Sequence, residues 1–300
     1  MEITIEDLKI RFGKQFLINE KLSNYSWFNL GGHADIFFKP NSIEDINFFL
    51  TRLKPQNFTI IGAGSNTLIR DGGIKGITIK LSSAFSYIKL DSENIIEVGA
   101  ATPDKKIADF AMMNSLGGLE FLSCIPGSIG GAVRMNTGCY GEDISQILHS
   151  IKVIDTKGNL KEILSKDIKF LYRSSNLEEN LLITSVKLIG KYCMKEEIEK
   201  KQKMMLERKK NSQPSQVKTC GSTFKNPKNQ KAWKLIKDSN CENFKVGNVE
   251  ISKKHCNFFV NNGNATSKDL EQLINKVKKT VYQKTKINLE LEIKIIGYSK

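Results

Sequence analysis

The sequence predicts an α+β protein with more than one domain. Short runs rich in β-branched residues, such as Phe58–Ile61, alternate with segments whose apolar residues recur at helical spacing, such as Ser42–Leu53. Turns that contain glycine separate these segments. The chain has 300 residues, and a single hydrophobic core stops growing at about 250 to 300 residues. Two or more cores are therefore expected.

Helices are expected wherever apolar residues fall three or four positions apart behind a capping residue. In the first, Ser42 precedes the apolar series, with Asp45 three residues further on. The last has Leu270, Leu273, Ile274, Val277 and Val281 on one face. The predicted helices are Ser42–Leu53, Pro103–Leu116, Lys195–Lys210, Ala232–Asp238 and Asp269–Lys284.

Strands are expected in the apolar and β-branched runs between these helices. Two of them flank the turn Thr156-Lys157-Gly158-Asn159 and form a hairpin. A domain boundary is expected near residue 190, ahead of the charged helix. The predicted strands are Phe58–Ile61, Ile74–Leu81, Ile95–Val98, Ile147–Asp155, Leu160–Leu164, Leu181–Ile189 and Leu289–Ile296.

Composition argues against several classes of protein. The net charge is +14, but the lysines are spread along the chain and form no basic patch interleaved with aromatic residues, so no nucleic-acid partner is expected. No apolar run approaches the roughly 20 residues of a membrane span. Residues 1–10 lack the layout of a signal peptide, which predicts a cytoplasmic protein.

The six cysteines are scattered, with no CxxC pair and no histidine at ligand spacing. Neither a zinc site nor any other metal site is expected, and a long chain without an export signal has little need of disulfides. Buried free thiols are the interpretation that fits best. The cysteines are Cys124, Cys139, Cys193, Cys220, Cys241 and Cys256.

Two glycine-rich stretches are candidates for phosphate binding, because backbone amides without side chains approach an anion closely. The first, Gly62–Thr67, follows a strand but lacks both the third glycine of a dinucleotide fingerprint and a P-loop lysine, so a tight turn is the alternative. The second, Ile125–Ala132, is the denser one and suits a pyrophosphate. Its alternative is a buried crossing of two backbone segments.

Three further segments carry polar groups suited to catalysis. Arg173 follows Tyr172, and its planar guanidinium suits a carboxylate. Ser222 lies in GSTFKNP close to Lys225 and Asn226, where a capping serine beside a surface lysine is the alternative. Glu290 and Glu292 alternate with apolar residues in LELEI, a pattern that usually marks a solvent-facing side of a strand.

Taken in order, these stretches resemble the UDP-N-acetylenolpyruvoylglucosamine reductase family along nearly the whole chain. Each motif alone is weak, whereas the ordered set is specific. The matching motifs are WFNLGGHAD (27–35), IIGAGSNTL (60–68), GLE (118–120), IPGSIGGAVRMNTGCY (125–140), YRS (172–174), GSTFKNP (221–227), HCNFFVNNGNAT (255–266) and LELEIKIIG (289–297).

The resemblance implies an FAD-binding region of the vanillyl-alcohol-oxidase type in two subdomains, residues 1–80 and 81–190, followed by an α+β substrate domain, residues 191–300. It implies reduction of FAD by NADPH, then transfer of hydride from flavin N5 to the enolpyruvyl group of a UDP-sugar in peptidoglycan precursor synthesis. The shorter subtype and a monomer are expected.

The resemblance also assigns roles to individual residues. Arg173 matches the catalytic arginine, Ser222 the proton-donating serine and Glu292 the catalytic glutamate, and the three are expected to converge at the flavin. Lys225 and Asn226 match positions near the substrate. The residues that match flavin-contacting positions are Gly62, Ala63, Gly64, Ser65, Asn66, Thr67, Pro126, Gly127, Ser128, Gly130 and Gly131.

Two residues depart from the family pattern: Asn29 stands where a basic residue often precedes the two glycines, and Cys139 replaces a common alanine. Two other functions stay open at this point. A flavoprotein of the same architecture with another substrate would keep the glycine loops but not the joint set of Arg173, Ser222 and Glu292. A basic nucleic-acid-binding module would be colourless when purified.

Overall fold

The computed structural model describes residues 4–55 and 57–300. Its helices run to 19 residues at most within that range. In chain order they are α1 (Ile5–Phe12), α2 (Ile43–Leu53), α3 (Asp104–Met113), α4 (Ile129–Arg134), α5 (Lys195–Ser212), α6 (Ala232–Asp238) and α7 (Ser267–Thr285).

The strands are mostly short and form several small sheets besides one of five strands. In chain order they are β1 (Phe16–Lys21), β2 (His33–Phe38), β3 (Thr59–Ile60), β4 (Thr67–Ile69), β5 (Ile74–Ile79), β6 (Ile88–Ser92), β7 (Ile95–Gly99), β8 (Leu116–Gly117), β9 (Gly138–Cys139), β10 (Glu142–Asp143), β11 (Leu148–Ile154), β12 (Leu160–Leu164), β13 (Phe170–Leu171), β14 (Ser174–Ser175), β15 (Leu182–Ile189), β16 (Lys191–Tyr192), β17 (Lys245–Val246), β18 (Val249–Ile251), β19 (Phe259–Asn261) and β20 (Lys294–Ile296).

The chain divides into two compact units that alternate along the sequence. The first unit comprises Met1–Ile18, Ile36–Ala63 and Ile77–Lys209, and the second comprises Asn19–Asp35, Gly64–Gly76 and Lys210–Lys300. The division passes through β1, β2 and β5, three members of a sheet with the order β1-β2-β5-β3. Both units mix helices and strands.

The first unit has two hydrophobic clusters. One surrounds α1 and α2, where the rings of Phe38 and Phe49 stack with centroids 4.1 Å apart and Phe12 lies 4.8 Å from Phe38. The other fills the space between α3, α4 and the five-stranded antiparallel sheet of order β12-β11-β15-β7-β6. Fully buried apolar side chains stabilise by about 1.5 to 3 kcal/mol each, so these clusters are the main source of the unit's stability.

The hairpin β11–β12 turns at Asp155, whose carboxylate accepts hydrogen bonds from the amides of Lys157 (2.9 Å) and Asn159 (3.0 Å). Burial raises the pKa of Asp155, but the hydrogen bonds from Asn159, from Lys161 and from Lys157 outweigh it and lower the pKa to about 2. An Asx turn of this kind satisfies amides that the hairpin leaves unpaired. The hairpin predicted around residues 156–159 is confirmed.

The second unit packs α6 and α7 against the sheet β17-β18-β19. Helix α7 begins with a capping box, in which Thr266 accepts from the amide of Asp269 and Asp269 accepts from that of Thr266. The earlier segment 64–76 is tied to this helix. Arg70 forms a bidentate ion pair with Glu271 at 2.8 Å for both bonds, and β4 pairs in parallel with β20.

The predicted helices are confirmed, with ends that shift by a few residues. Helix α2 starts after Ser42, whose hydroxyl accepts from the amide of Asp45. The five residues predicted for one face of α7 are all buried. The charged helix α5 runs two residues past its predicted end, to Ser212.

One predicted strand needs correction, and helices α1 and α4 were not predicted. In α4, Gly130 and Gly131 lower the helix propensity and masked the helix. The strand predicted over Leu289–Ile296 is broken: Leu291 makes a single bridge to Phe224, and a regular strand starts only at Lys294. Apolar residues alternate along this segment, although its backbone is not paired continuously with another strand.

The domain bounds predicted from the sequence follow the chain linearly, whereas the two units do not. Helix α5 belongs to the first unit as far as Lys209, and its side chains bond to that unit: the Gln202 amide donates to Ala108 O (3.0 Å), and Lys209 Nζ donates to Cys124 O (2.9 Å). The boundary near residue 190 thus does not match these units. The three-part division stays a prediction.

Among the residues that the structure describes, no helix is both long enough and apolar enough to cross a membrane.

Candidate active site

The first half of the loop 62–67 lies in the first unit, beside the second glycine-rich stretch. Strand β3 pairs with β5, and the Ile61 amide donates to Ile79 O (3.0 Å), after which the chain emerges at the exposed Gly62. A Cβ added to Gly62 would lie 3.4 Å from Ser128 Oγ. Two stretches more than 60 positions apart in the sequence are therefore neighbours, as a shared cofactor site requires.

The second glycine-rich stretch is only partly open. The amides of Ile129 and Gly130 donate to Thr102 O and Ala100 O, both at 3.0 Å, so they are not free for an anion. A Cβ on Gly130 would lie 3.1 Å from both the Cβ and the oxygen of Ala100. Gly130 therefore allows two backbone segments to cross closely, which is the alternative to phosphate binding that the sequence left open.

Gly131 behaves differently from Gly130. It is exposed, and a Cβ added there would meet nothing within 4 Å. Ser128, just ahead of α4, is buried and forms no capping hydrogen bond with its side chain. Pro126 is exposed, and Gly127 has a φ of 147°. The exposed positions of the stretch are therefore Pro126, ahead of α4, and Gly131, in the first turn of α4.

The second half of the loop, Gly64–Thr67, lies in the second unit. Gly64 has a φ of 72°, and its carbonyl accepts from the amide of Trp27 (3.0 Å). Asn66 Nδ2 donates to Glu292 O (3.0 Å), while Asn66 O accepts from the amide of Lys294 (2.9 Å). A residue expected to contact the flavin and a residue expected to act in catalysis are therefore joined by a hydrogen bond from the Asn66 side chain to the Glu292 carbonyl.

Ser222 lies on a segment that is held from both sides. It bridges Phe258 in antiparallel fashion, and the Thr223 amide donates to Asn257 O (2.8 Å). The side chain of Asn257 forms two more hydrogen bonds, accepting from the Phe224 amide (3.0 Å) and donating to Phe224 O (2.8 Å). Ser222 itself is half-buried. A hydroxyl on so constrained a backbone suits a proton donor.

Glu292 is brought next to the Ser222 segment. Its amide donates to Thr223 O (2.9 Å), one residue away from Ser222, and its side chain is half-buried. Glu290, two residues earlier, is 78% exposed in its side chain and lies 3.8 Å from Lys225 Nζ. The two acids therefore differ in environment, although alternation would place both on one exposed face, and Glu292 is the one in the half-buried position.

Arg173 lies in the first unit, in the connection between β13 and β14. Its φ is 57°, a left-handed conformation that costs a residue with a side chain about 1 to 3 kcal/mol. Arg173 Nη2 donates to Gly138 O, and the guanidinium lies 4.9 Å from the ring centroid of Tyr172. Strain of this size is retained where the surrounding structure enforces it.

The hairpin that carries Arg173 is bound to the end of α4. Asn136 is 3% exposed and donates from Nδ2 to Leu171 O (3.1 Å), and Ser175 Oγ donates to Arg134 O (2.8 Å). Sequence reasoning did not single out Asn136, Arg134 or Asn257. Their only signal was their position inside the matched motifs, together with the amide chemistry that lets asparagine hold two backbone groups.

The predicted substrate residues have partners of their own. Lys225 pairs with Glu290, as described above, and Asn226 Oδ1 accepts from the amide of Ala232 (3.0 Å) at the start of α6. Asn29 has a φ of 55°, which asparagine tolerates better than a basic residue would. Within the described residues, no group of three His, Cys, Asp or Glu side chains could hold a metal ion.

Two family models match the chain. One describes an FAD binding domain and matches residues 34–164, and the other describes the UDP-N-acetylenolpyruvoylglucosamine reductase C-terminal domain and matches residues 213–296. The first covers the glycine-rich stretches around Gly62 and Ser128, and the second covers Ser222 and Glu292. The expected FAD-binding region followed by a carboxy-terminal domain is confirmed.

Proteins similar to this chain are named as the same reductase. The chain is 44% identical to the UDP-N-acetylenolpyruvoylglucosamine reductase of Pelagibacter ubique (92% of each chain) and 42% identical to that of Orientia tsutsugamushi (93% of each). The crystal structure of UDP-N-acetylenolpyruvylglucosamine reductase (MurB) from Thermus caldophilus superposes with a TM-score of 0.82 at 30% identity, covering 94% of this chain and 98% of that one. The chain therefore belongs to the UDP-N-acetylenolpyruvoylglucosamine reductase family and is an FAD-dependent oxidoreductase.

Proposed function

We propose that the protein reduces UDP-N-acetylglucosamine enolpyruvate to UDP-N-acetylmuramate for peptidoglycan precursor synthesis, as a cytoplasmic monomer with FAD as cofactor and NADPH as co-substrate. The observation that carries the proposal is the pairing of two motif segments in the second unit, where the Glu292 amide donates to Thr223 O beside Ser222. Membership of the family supports the same reaction.

The residues of the first unit fit a dinucleotide cofactor. Gly62 and Gly131 are both exposed, and a side chain at Gly131 would occupy open space. Ser128 adds a hydroxyl next to Gly62. These are the groups we expect to hold FAD, which when bound would supply the hydride from its N5 atom after reduction by NADPH.

Arg173 would stabilise the charge that the reaction creates. Hydride addition at the methylene carbon of the enolpyruvyl group pushes negative charge onto the neighbouring carbon and its carboxylate. A planar guanidinium donates two parallel hydrogen bonds to such a carboxylate. The constrained backbone of Arg173 would keep the group preorganised, so that little is lost to reorganisation as the charge grows.

Ser222 would donate its hydroxyl proton to the carbon next to the carboxylate, which completes the reduction of the double bond. Glu292, in its protonated form, would donate a hydrogen bond to the same enolate. Hydrogen bonds with Asn257, Thr223 and Asn66 fix the backbone that carries these two residues. Positioning is the main requirement, because a placed hydroxyl outperforms free water as a proton donor.

Replacement of Ser222 separates the two half-reactions. With Ser222→Ala, reduction of the bound flavin by NADPH should proceed as before, whereas reoxidation by the enolpyruvyl sugar should slow by orders of magnitude, here about 10²- to 10⁴-fold. Stopped-flow absorbance of the flavin measures both. Ser215→Ala, at an exposed position of the same unit, is the matched control. Equal reoxidation rates in the two variants would rule out the serine role.

Replacement of Arg173 tests recognition of the carboxylate. Arg173→Lys keeps the charge but removes the bidentate geometry, so kcat/KM for the enolpyruvyl sugar should fall by at least about tenfold, the equivalent of one strong hydrogen bond. Arg52→Lys on α2 is the control. Turnover that stays at the wild-type value would contradict the assignment of Arg173.

A further inference from the structure

Two lysines lie beside the loop at Gly62. Lys80 directly follows β5, and because β5 pairs with β3, its side chain reaches the point where the chain leaves β3: Lys80 Nζ donates to Gly62 O. Lys39 is next to it, since the Lys80 amide donates to Phe38 O (3.0 Å). Neither lysine belongs to the matched motifs that the sequence pointed to.

The charges of these two lysines are not compensated by the protein. Within residues 4–55 and 57–300, neither lysine forms an ion pair with a carboxylate, whereas Lys187 of the same unit pairs with Asp91 at 2.8 Å. Burial lowers the pKa of Lys80, and the charge of Lys39 lowers it further. Keeping two cations together costs free energy. An anion bound at this place would reverse that cost.

The surroundings of Lys80 suit a phosphate group. Gly62 is exposed, and Ser128 Oγ lies within van der Waals distance of its missing Cβ position. A lysine, a hydroxyl and a backbone free of side chains are the groups that bind phosphates in nucleotide sites. The loop lacks a lysine of its own in sequence. Lys80, the residue directly after β5, lies beside the loop and provides this lysine.

We propose that Lys80, supported by Lys39, binds the diphosphate of FAD at Gly62. The inference rests on the proposed function in taking FAD as the ligand, and it adds the charged groups that hold the cofactor. Lys39, Gly62, Lys80 and Ser128 all fall within residues 34–164, which match an FAD binding domain. A nucleoside diphosphate could also come from the sugar-nucleotide substrate, and the experiment distinguishes the two sources.

The test measures binding of FAD and of riboflavin to the flavin-free protein by quenching of flavin fluorescence, and binding of UDP-N-acetylglucosamine to the FAD-loaded protein by isothermal titration calorimetry. For Lys80→Met we expect the Kd of FAD to rise by about 10- to 100-fold, the size of a charge-assisted hydrogen bond. The Kd of riboflavin, which has no phosphate, should stay within about twofold. Lys80→Arg should restore most of the FAD affinity, and the dependence of Kd on salt should weaken in Lys80→Met.

Two further variants separate a local effect from a general one. Lys187→Met removes the same charge from the same unit at a paired lysine and should leave both affinities unchanged. Lys39→Met keeps the contact of Lys80 with Gly62 O and should weaken FAD binding by only about two- to fivefold. This variant keeps the inference testable if Lys80→Met does not fold. Circular dichroism of each flavin-free variant reports folding.

Each outcome has a defined meaning. Wild-type protein that binds no FAD would refute the proposed function itself. Wild-type protein that binds FAD, together with Lys80→Met of equal FAD affinity and equal salt dependence, would overturn the inference and leave the cofactor in place. Equal losses for FAD and riboflavin would assign Lys80 to loop structure. A loss of affinity for UDP-N-acetylglucosamine alone would assign the lysine to the substrate diphosphate and would also overturn the inference.

Discussion

Replacing Gly64 with alanine should strongly destabilise the second unit. Gly64 has a φ of 72°, and an alanine Cβ there would overlap the carbonyl oxygen of Tyr25 and lie 2.9 Å from its carbonyl carbon and 3.1 Å from Ser26 Cα. These are backbone atoms, so no side chain can rotate away. The hydrogen bond from the Trp27 amide to Gly64 O holds the two segments at this distance.

The size of the effect follows from two contributions. A left-handed conformation costs alanine about 1 to 2 kcal/mol relative to glycine, and an extra methyl group in a tightly packed place costs about 1 to 3 kcal/mol. The free energy of unfolding should thus fall by about 2 to 5 kcal/mol. Gly62→Ala is the control, because its Cβ would meet only Ser128 Oγ at 3.4 Å, an ordinary contact. That variant should stay within about 0.5 kcal/mol of wild type.

Urea unfolding of the flavin-free protein, followed by tryptophan fluorescence, measures the difference directly. The chain has two tryptophans, Trp27 and Trp233, and both belong to the second unit. The signal therefore reports the unit that contains Gly64. Coincident urea midpoints for Gly64→Ala and Gly62→Ala would refute the steric reasoning.

Three other substitutions have defined outcomes. Lys201 bonds to Glu120, which is 4% exposed, at 3.2 Å. Lys201→Met should lower the free energy of unfolding by about 2 to 3 kcal/mol, less than the loss of a fully buried pair, because Lys201 is 38% exposed. Adding Glu120→Gln should recover part of this loss, because it removes the buried charge that is left without its partner. Asp155→Ala should cost about 1 kcal/mol at pH 7. Because the folded pKa of Asp155 is about 2 and its ordinary value is 3.8, the stabilisation is complete above pH 4 and should vanish as the pH falls through 2. Asn257→Ala should slow reoxidation of the flavin by the enolpyruvyl sugar about tenfold by releasing the Ser222 segment, with reduction by NADPH unchanged.

A different result would contradict the expectation for each of the three substitutions. For Lys201→Met, additivity of the two single changes in a double-mutant cycle would show that the ion pair contributes nothing. For Asp155→Ala, a stability difference that persists unchanged at pH 2 would contradict the hydrogen-bonding explanation. For Asn257→Ala, the control is Asn262→Ala at an exposed position. Equal flavin reoxidation rates in the two variants would show that the hydrogen bonds of Asn257 do not position Ser222.

Elements with a strong local pattern could be predicted from the sequence. Helix α7 shows why: the apolar series from Leu270 to Val281 has the period of a helix, and Thr266 with Asp269 forms the capping box that starts it. Helix α2 and the hairpin at Asp155 follow the same logic. In each case the side chains that determine the structure lie within a few residues of one another.

Features that depend on distant partners could not be predicted in this way. Helix α4 contains Gly130, where an added Cβ would lie 3.1 Å from both the Cβ and the oxygen of Ala100, a close approach that only the folded structure reveals. The segment after Leu289 changes partner from Phe224 to β4, which alternation alone does not reveal. Lys80 gave no signal because its relation to Gly62 exists only through the pairing of β3 with β5. The roles of Arg173, Ser222 and Glu292 rest on the family resemblance and stay predictions.

The parallel pairing of β4 with β20 means that part of the second unit can fold only after β20 has been synthesised. Arg70, next to β4, bonds to Gly297 across 227 positions of the sequence. Leu68 and Phe28 share one hydrophobic cluster with Leu273 and Val277, so these early side chains remain without their partners until the ribosome has made the residues that cover them. Contacts between such remote segments slow folding and leave apolar surface open to aggregation. The second unit therefore completes its hydrophobic core only after α7 and β20 have been synthesised.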